Sequence, residues 1–299
     1  MTTSIPTQLR SRAEVLAKRV IRRRILSGHY RSTRVHYGTG TGTGATGTAA
    51  GAGATGTAAA AHPVPVFMCL WNRPTRLIDM LEALDGQTGT PGITFHIWNN
   101  NKADHDHYLE VVRNFRPRGA LREVQLVKTP YNLGSMGRFH LARDHARAHG
   151  AGPAIVVDDD ENLQADFVST ALAAYAPGTV SAWWAFEVGR NYYDRRPAVV
   201  GGPVDHVGPG GMITDSAIFL DDGFFTELPE KYFFVDDLWF TYYAARRRGM
   251  TLKKLGVDIE FVMDETNQSY GLVDLKLALF EELYPERATM PPQFEFPEG

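Results

Sequence analysis

Three carboxylates stand side by side in Asp158-Asp159-Asp160, and Glu161 follows them directly. Adjacent carboxylates repel, so a folded chain gathers them where a cation or hydrogen-bond donors offset the repulsion. The preceding Ala154-Ile155-Val156-Val157 is apolar and mostly β-branched, suited to a short strand buried on both faces. Asp158 and Asp160 at the carboxyl end of such a strand suit a hard divalent cation, Mg²⁺ or Mn²⁺. A solvated acidic turn capping a helix over Leu163 to Tyr175 would use the same residues, and the stretch alone does not separate the two. A second acidic pair, Asp236-Asp237, follows the apolar Tyr232-Phe233-Phe234-Val235 and precedes a helical segment, Leu238 to Arg248, with its basic residues at the far end. The pair therefore sits at a helix N-terminus, where one carboxylate can satisfy free N–H groups and the other is left for proton transfer.

These acids need a scaffold, and the spacing of apolar residues supplies one. Strands are expected at Val64–Leu70, Gly92–Trp98, Val124–Val127 and Ala154–Val157. Helices are expected at Thr75–Leu84, Asp106–Phe115 and Arg138–His149. Strands alternating with helices of ten or so residues imply a mostly parallel sheet wound from βαβ units. In such sheets ligands bind at the carboxyl ends of the strands, where the acidic run stands. A later amphipathic helix, Asp274 to Leu283, is followed by a Pro-rich end expected to be mobile.

The 299 residues allow one large domain with appendages, and a hydrophobic share of 43% with 22% charged residues is that of a globular protein. The single Cys69 excludes an internal disulfide and fits a reducing compartment. No run approaches the ~20 apolar residues of a membrane span, so a cytoplasmic location is expected, at most peripheral to the inner face of the membrane. Residues 1–37 hold nine Lys/Arg and one acid, a local +8, which leaves 22 basic and 33 acidic residues elsewhere. This basic head reads as an amphipathic helix. Ser11-Arg12-Ala13-Glu14 has the form of a capping box, Leu9, Ala13, Leu16 and Val20 follow helical spacing, and Ser27-Gly28 supplies a stop. Residues 9–26 could contact a membrane surface or a protein partner, or pack on the main domain; nucleic acid is not expected, because aromatic residues are few among the basic ones. Residues 38–61 are only Gly, Thr and Ala and are expected to form a flexible linker to a domain over 62–299.

Within that domain several pieces occur in order. A strand runs into Asn72-Arg73-Pro74, another ends in Asn99-Asn100-Asn101, and Asn132-Leu133-Gly134 is followed by Arg138. Then come Asp158-Asp159-Asp160, Gly208-Pro209-Gly210-Gly211 with Ile218-Phe219, and Asp236-Asp237 opening a helix that ends Arg246-Arg247-Arg248-Gly249. From Val64 to about Gly256 the chain thus resembles the family 2-like glycosyltransferases of the GT-A fold. The resemblance implies an α/β fold with a mostly parallel, Rossmann-like sheet flanked by helices. It implies metal-dependent, inverting transfer of a sugar from a nucleotide-diphosphate sugar to a hydroxyl acceptor, whether glycan, lipid-linked or small molecule. Asp160 would hold Mn²⁺ or Mg²⁺, with Asp158 toward the metal or the ribose and Asp159 beside the donor. Asn72, Arg73 and Arg138 would lie near the nucleotide. Asn99 stands where the family usually has an acid that contacts uracil; a UDP-sugar is the first expectation, although an Asn also suits another base. Gly210 and Gly211 belong to the Gly-rich loop of the site. Asp237 is the expected base and Asp236 its support, with the register ambiguous by one residue.

Two other functions compete. A sugar-phosphate nucleotidyltransferase would use a similar sheet, but Leu70-Trp71-Asn72-Arg73-Pro74 lacks the glycines of its phosphate loop. A catalytically silent binding module has no need of both acidic groups. Trp183, Trp184, Trp239, Tyr242, Tyr243 and His206 are further candidates for the sugar site or for simple packing, and Asp264-Glu265-Thr266 for an additional acid.

Overall fold

The computed structural model describes residues 7–37, 62–130, 132–263 and 272–294, the first nine and Leu26 by backbone alone. The expected linker, Tyr131 and Asp264-Glu265-Thr266 lie outside the described residues. Helix α1 (Thr7–Leu26) leads into strand β1 (Arg31–His36). The alternating part follows: β2 (Val64–Leu70), α2 (Arg76–Asp85), β3 (Ile93–Asn99), α3 (His105–Asn114), β4 (Leu121–Lys128), α4 (Gly137–His149) and β5 (Pro153–Val157). Beyond it lie β6 (Glu161–Leu163), α5 (Phe167–Ala174), β7 (Thr179–Ala182), β8 (Ala185–Val188), β9 (Arg195–Pro197), β10 (His206–Val207) and β11 (Met212–Asp215). Then come α6 (Gly223–Thr226), α7 (Asp236–Tyr242), β12 (Thr251–Lys254), β13 (Ile259–Phe261), α8 (Val273–Leu283) and α9 (Pro285–Ala288).

Eight strands form the central sheet in the order β1-β4-β3-β2-β5-β11-β7-β12. The pairs β4–β3, β3–β2, β2–β5 and β7–β12 are parallel, while β1 and β11 run antiparallel to their neighbours. The molecule is thus an α/β fold with a mostly parallel sheet flanked by helices. One apolar core, with Val66, Met68, Ile97 and Val157, lies beneath α2 and α3. The other, with Phe67, Trp98, Val156 and Phe139, lies beneath α4. Alternate residues of each strand feed opposite cores, so both faces are buried and the strands read as continuous apolar runs.

From β2 the chain steps outward through β3 to β4, then α4 returns it to the far side of β2, where β5 pairs. The strand order reverses between β2 and β5, and the crevice outside their carboxyl ends is the switch point at which such sheets bind ligands. Antiparallel β11, with Met212 opposite Val156, brings the Gly208–Gly211 loop to the same edge.

The head departs from its expected form. Helix α1 ends at Leu26, and Arg31–His36 join the sheet as an edge strand, Arg31 opposite Lys128 and His36 opposite Glu123. Only Val35 in that strand is strongly apolar, so no hydrophobic alternation announced it. The head packs on the main domain through Ile25, which is buried, and Tyr30, whose ring meets Trp98 edge-on at 5.3 Å. Arg22 lies 3.5 Å over the Phe233 ring and 3.0 Å from Glu230. None of the described helices is long and apolar enough to cross a membrane.

Two smaller expectations also shift. The helix expected from Leu163 starts at Phe167, because Glu161–Leu163 pair with β13 instead. The Pro-rich end is held as far as Phe294, since Asp194 accepts the N–H groups of Gln293 and Phe294.

Candidate active site

A cleft of about 640 Å³ opens at the switch point. Its floor is the turn after β5, built on buried charge. Asp159 points back under the end of β2, where it accepts the Trp71 N–H at 3.0 Å and pairs with Arg73. Arg73 also lies 3.3 Å from Asp160, and Arg76 donates to the backbone oxygens of Asp159 and Glu161 at 3.1 and 3.0 Å. Asn72 permits the turn that carries these arginines, with φ of 54°, a conformation Asn tolerates better than most residues. Two arginines from the β2 side thus brace the acidic turn.

Asp158 and Glu161 face each other across that turn. The Asp158 N–H donates to Glu161 Oε2 at 2.9 Å, and Glu161 Oε1 is buried with no hydrogen-bond partner among the described residues. Burial, and then the charge of Asp158, hold the Glu161 carboxyl well above its usual range. Burial with the charges of Asp158 and Asp159 pushes Asp160 up to about 7. Gly210 closes the turn from the β11 side; a Cβ there would run into both Glu161 and Asp158. Gly211 adopts φ of +61° and packs on Ile259 and Trp183, behind the cleft wall.

Among the described residues no group of three or more His, Cys, Asp or Glu side chains is set to hold a metal ion by itself. Mg²⁺-type sites commonly use one or two carboxylates and complete their shell with substrate phosphates and water. Hard oxygens from Asp158, Asp160 and Glu161, crowded like charge and an unpartnered buried acceptor fit that pattern.

On the opposite wall α7 begins with Asp236 and Asp237, both buried and both lining the cleft. Arg138, nearly inaccessible on α4, joins the two walls: one guanidinium nitrogen pairs with Asp158 and the other lies 2.7 Å from Asp236. Burial works against its charge, but Asp158 and then Asp236 raise its pKa above the usual value. Ser135 donates to the other Asp236 oxygen at 2.7 Å. Asp237 has different company. Tyr192 donates its hydroxyl to Asp237 Oδ2 at 2.7 Å, and Lys276 of α8 reaches the same oxygen at 2.7 Å. Burial would raise the Asp237 pKa, but Lys276, His206 and the Tyr192 hydrogen bond together outweigh it and hold the carboxylate well below its usual range.

The expected residues therefore divide. Arg73, Arg138, Asp158, Asp159, Asp160, Gly210, Asp236 and Asp237 line one cleft. Asn99 does not: it is wholly buried, with Oδ1 accepting the Asn101 N–H at 2.8 Å. Asn100 lines the cleft instead and fixes its wall, accepting the Leu133 N–H at 3.0 Å and donating to Gly134 O at 3.1 Å. Strand alternation explains the slip, since a shift of one residue reverses the face. Asn72 stands beside the cleft and accepts from Asn101 at 2.8 Å. Trp184 lines the mouth with Phe234, Phe261 and Met263, whereas Trp183 lies behind. Trp239 and Tyr243 belong to the core, with the Trp239 indole donating to Phe224 O at 2.7 Å. Buried His206 packs against the back of Tyr192 at 5.2 Å and, pushed down to about 3 by burial, is neutral.

Glu161, Tyr192 and Lys276 were not singled out from the sequence. Glu161 gave a signal, an acid extending the Asp158–Asp160 run. Tyr192 and Lys276 gave none, lying far from Asp237 along the chain.

No protein-family model matches the chain, and no curated protein matches it. Among solved structures, a crystal structure of S. aureus TarS, residues 1–349, is similar over 65% of this chain, with a TM-score of 0.45 and 16% sequence identity. The chain spans 58% of that structure's length.

Proposed function

We propose that the cleft is the active site of a metal-dependent, inverting glycosyltransferase that moves a sugar from a nucleotide-diphosphate sugar, a UDP-sugar first, to a hydroxyl acceptor. One observation carries this reading: a single cleft holds two separately braced carboxylate groups, Asp158/Asp160/Glu161 and Asp236/Asp237, with Arg138 between them. Asp160 and Asp158 would hold a divalent cation, with Glu161 adjacent. When bound, such a cation offsets the charge that grows on a departing diphosphate. Arg73 and Arg138 keep the carboxylates in place beforehand.

Acceptor activation falls to the α7 pair. Asp237 is the proposed base, oriented by Tyr192 and kept ionised by Lys276. A carboxylate so stabilised is a weak base. It serves best late in the reaction, once the acceptor oxygen is bonding to the anomeric carbon and its proton has become acidic. Asp236, tied to Ser135 and Arg138, holds the start of α7 against the donor side. The apolar mouth, with Trp184, Phe234, Phe261 and Met263, offers a surface to the apolar face of a sugar.

A thermal-shift screen of nucleotide sugars with and without Mn²⁺ tests the donor half. Stabilisation by a nucleotide sugar is expected to need the metal and to be lost in Asp160→Ala. Equal nucleotide affinity in EDTA, measured by calorimetry, would remove the metal from the mechanism.

A further inference from the structure

Helix α1 sits on the domain with an unusual orientation. A surface helix normally turns its apolar stripe to the core. Here, among residues 16–25, only Ile25 is buried, whereas Leu16, Val20 and Ile21 stand 61%, 52% and 40% exposed. At 100° per residue Leu16 lies about 180° from Ile25, on the opposite side of the helix. Arg23 and Arg24 are exposed on the same outer half as Leu16 and Val20. No Asp or Glu occurs between Val15 and Tyr37, and the edge strand that follows adds exposed Arg31 and Arg34.

Two arginines along one flank reach back to the domain. Arg22 over Phe233, and Arg19 and Arg22 at 3.4 and 3.0 Å from Glu230, clamp the helix to the segment that ends at Phe234 on the cleft mouth. The helix is thus held with apolar residues outward and cations interspersed, beside the opening of the cleft.

We infer that the outer face of α1 docks on an anionic lipid surface, with Leu16 and Val20 entering the headgroup–acyl boundary and Arg23 and Arg24 meeting lipid phosphates. Charge decides the occupant. An apolar face dotted with arginines and free of acids fits a negative bilayer, where each cation near the surface adds to binding and apolar side chains add area. A second copy of this face would set arginine against arginine.

Flotation of the full chain with phosphatidylcholine vesicles, with or without phosphatidylglycerol, tests the inference. Binding is expected only to the anionic vesicles and is expected to fall as salt rises. Arg23→Gln/Arg24→Gln should weaken it about twenty-five-fold, from about a factor of five per cation. Leu16→Ser/Val20→Ser should weaken it about ten-fold or more while leaving the melting temperature unchanged, since these side chains face solvent. Equal binding to neutral vesicles, or either double variant binding like wild type, would overturn the inference. So would a dimer in light scattering that Leu16→Ser/Val20→Ser dissolves, or retention on duplex DNA without vesicle binding. The substituted residues are remote from the carboxylates, so the variants should keep their response to nucleotide sugar and Mn²⁺, and the two readings fail separately.

Discussion

Arg138 is the residue whose removal should say most about the site. In Arg138→Met a buried guanidinium disappears from between Asp158 and Asp236, leaving two carboxylates without their shared counter-charge. Removing one partner of a buried pair costs about 3–5 kcal/mol, because the remaining charge is stranded out of water. Asp158 is part-exposed and can recover hydration, whereas Asp236 is buried, so most of the cost falls on Asp236. In a chain of this size about 2 °C per kcal/mol translates this to roughly 6–10 °C of melting temperature. Urea unfolding should show a lower midpoint at unchanged slope. Asp236→Asn alone should cost less, and in the double variant the two losses should fail to add by about 1–3 kcal/mol. Arg138→Lys should not restore the loss, since one ammonium does not fork across two carboxylates. An Arg138→Met protein within about 1 kcal/mol of wild type, or a strictly additive cycle, would refute the view that this arginine holds the two walls together.

Three further outcomes are expected. Asp237→Asn should retain metal and donor binding yet lose turnover by about 10²-fold or more, and a fully active variant, or a product with the donor's anomeric configuration, would dismiss Asp237 as base. Burial pushes His96 and His206 down to about 3 and His145 to about 4, so between about pH 4 and 6.5 the unfolded chain binds protons that the fold refuses. Stability should therefore fall on acidification through that window, by up to about 1.4 kcal/mol per pH unit for each histidine, with a shallower slope in His96→Gln. A chain starting at His62 lacks β1 and Tyr30; urea titration should find it less stable than the full chain, with the β4 edge bare and Trp98 uncovered.

Much of the sheet could be read from local pattern. Strand β2 matches its expected span, and β3, β5 and α2 to α4 fall within a residue of theirs, because each carries a full apolar repeat bounded by Gly, Pro or Asn. Strand β4 begins three residues early, at Leu121, where charged Arg122 and Glu123 hide the pattern. β1 and β6 escaped notice because neither carries apolar alternation; each exists through its partner, β4 or β13. The site divides the same way. Asp158–Asp160 and Asp236–Asp237 were visible as unbroken acid runs beside apolar segments. The pairing of Arg138 with one member of each, and of Lys276 with Asp237, depends on where α4 and α8 lie. No local pattern encodes that.

The edge strand also sets a timetable for the newborn chain. Arg31–His36 leave the ribosome well before their partner strand, which is complete only at Lys128. At ~5–20 residues per second, on the order of ten seconds pass before that ladder can zip. A strongly apolar strand left unmatched for so long would invite pairing with neighbouring nascent chains. Arg31-Ser32-Thr33-Arg34-Val35-His36 is poorly adhesive instead, with two arginines and a single strongly apolar residue. The composition that concealed this strand from pattern reading is what lets it wait safely for β4.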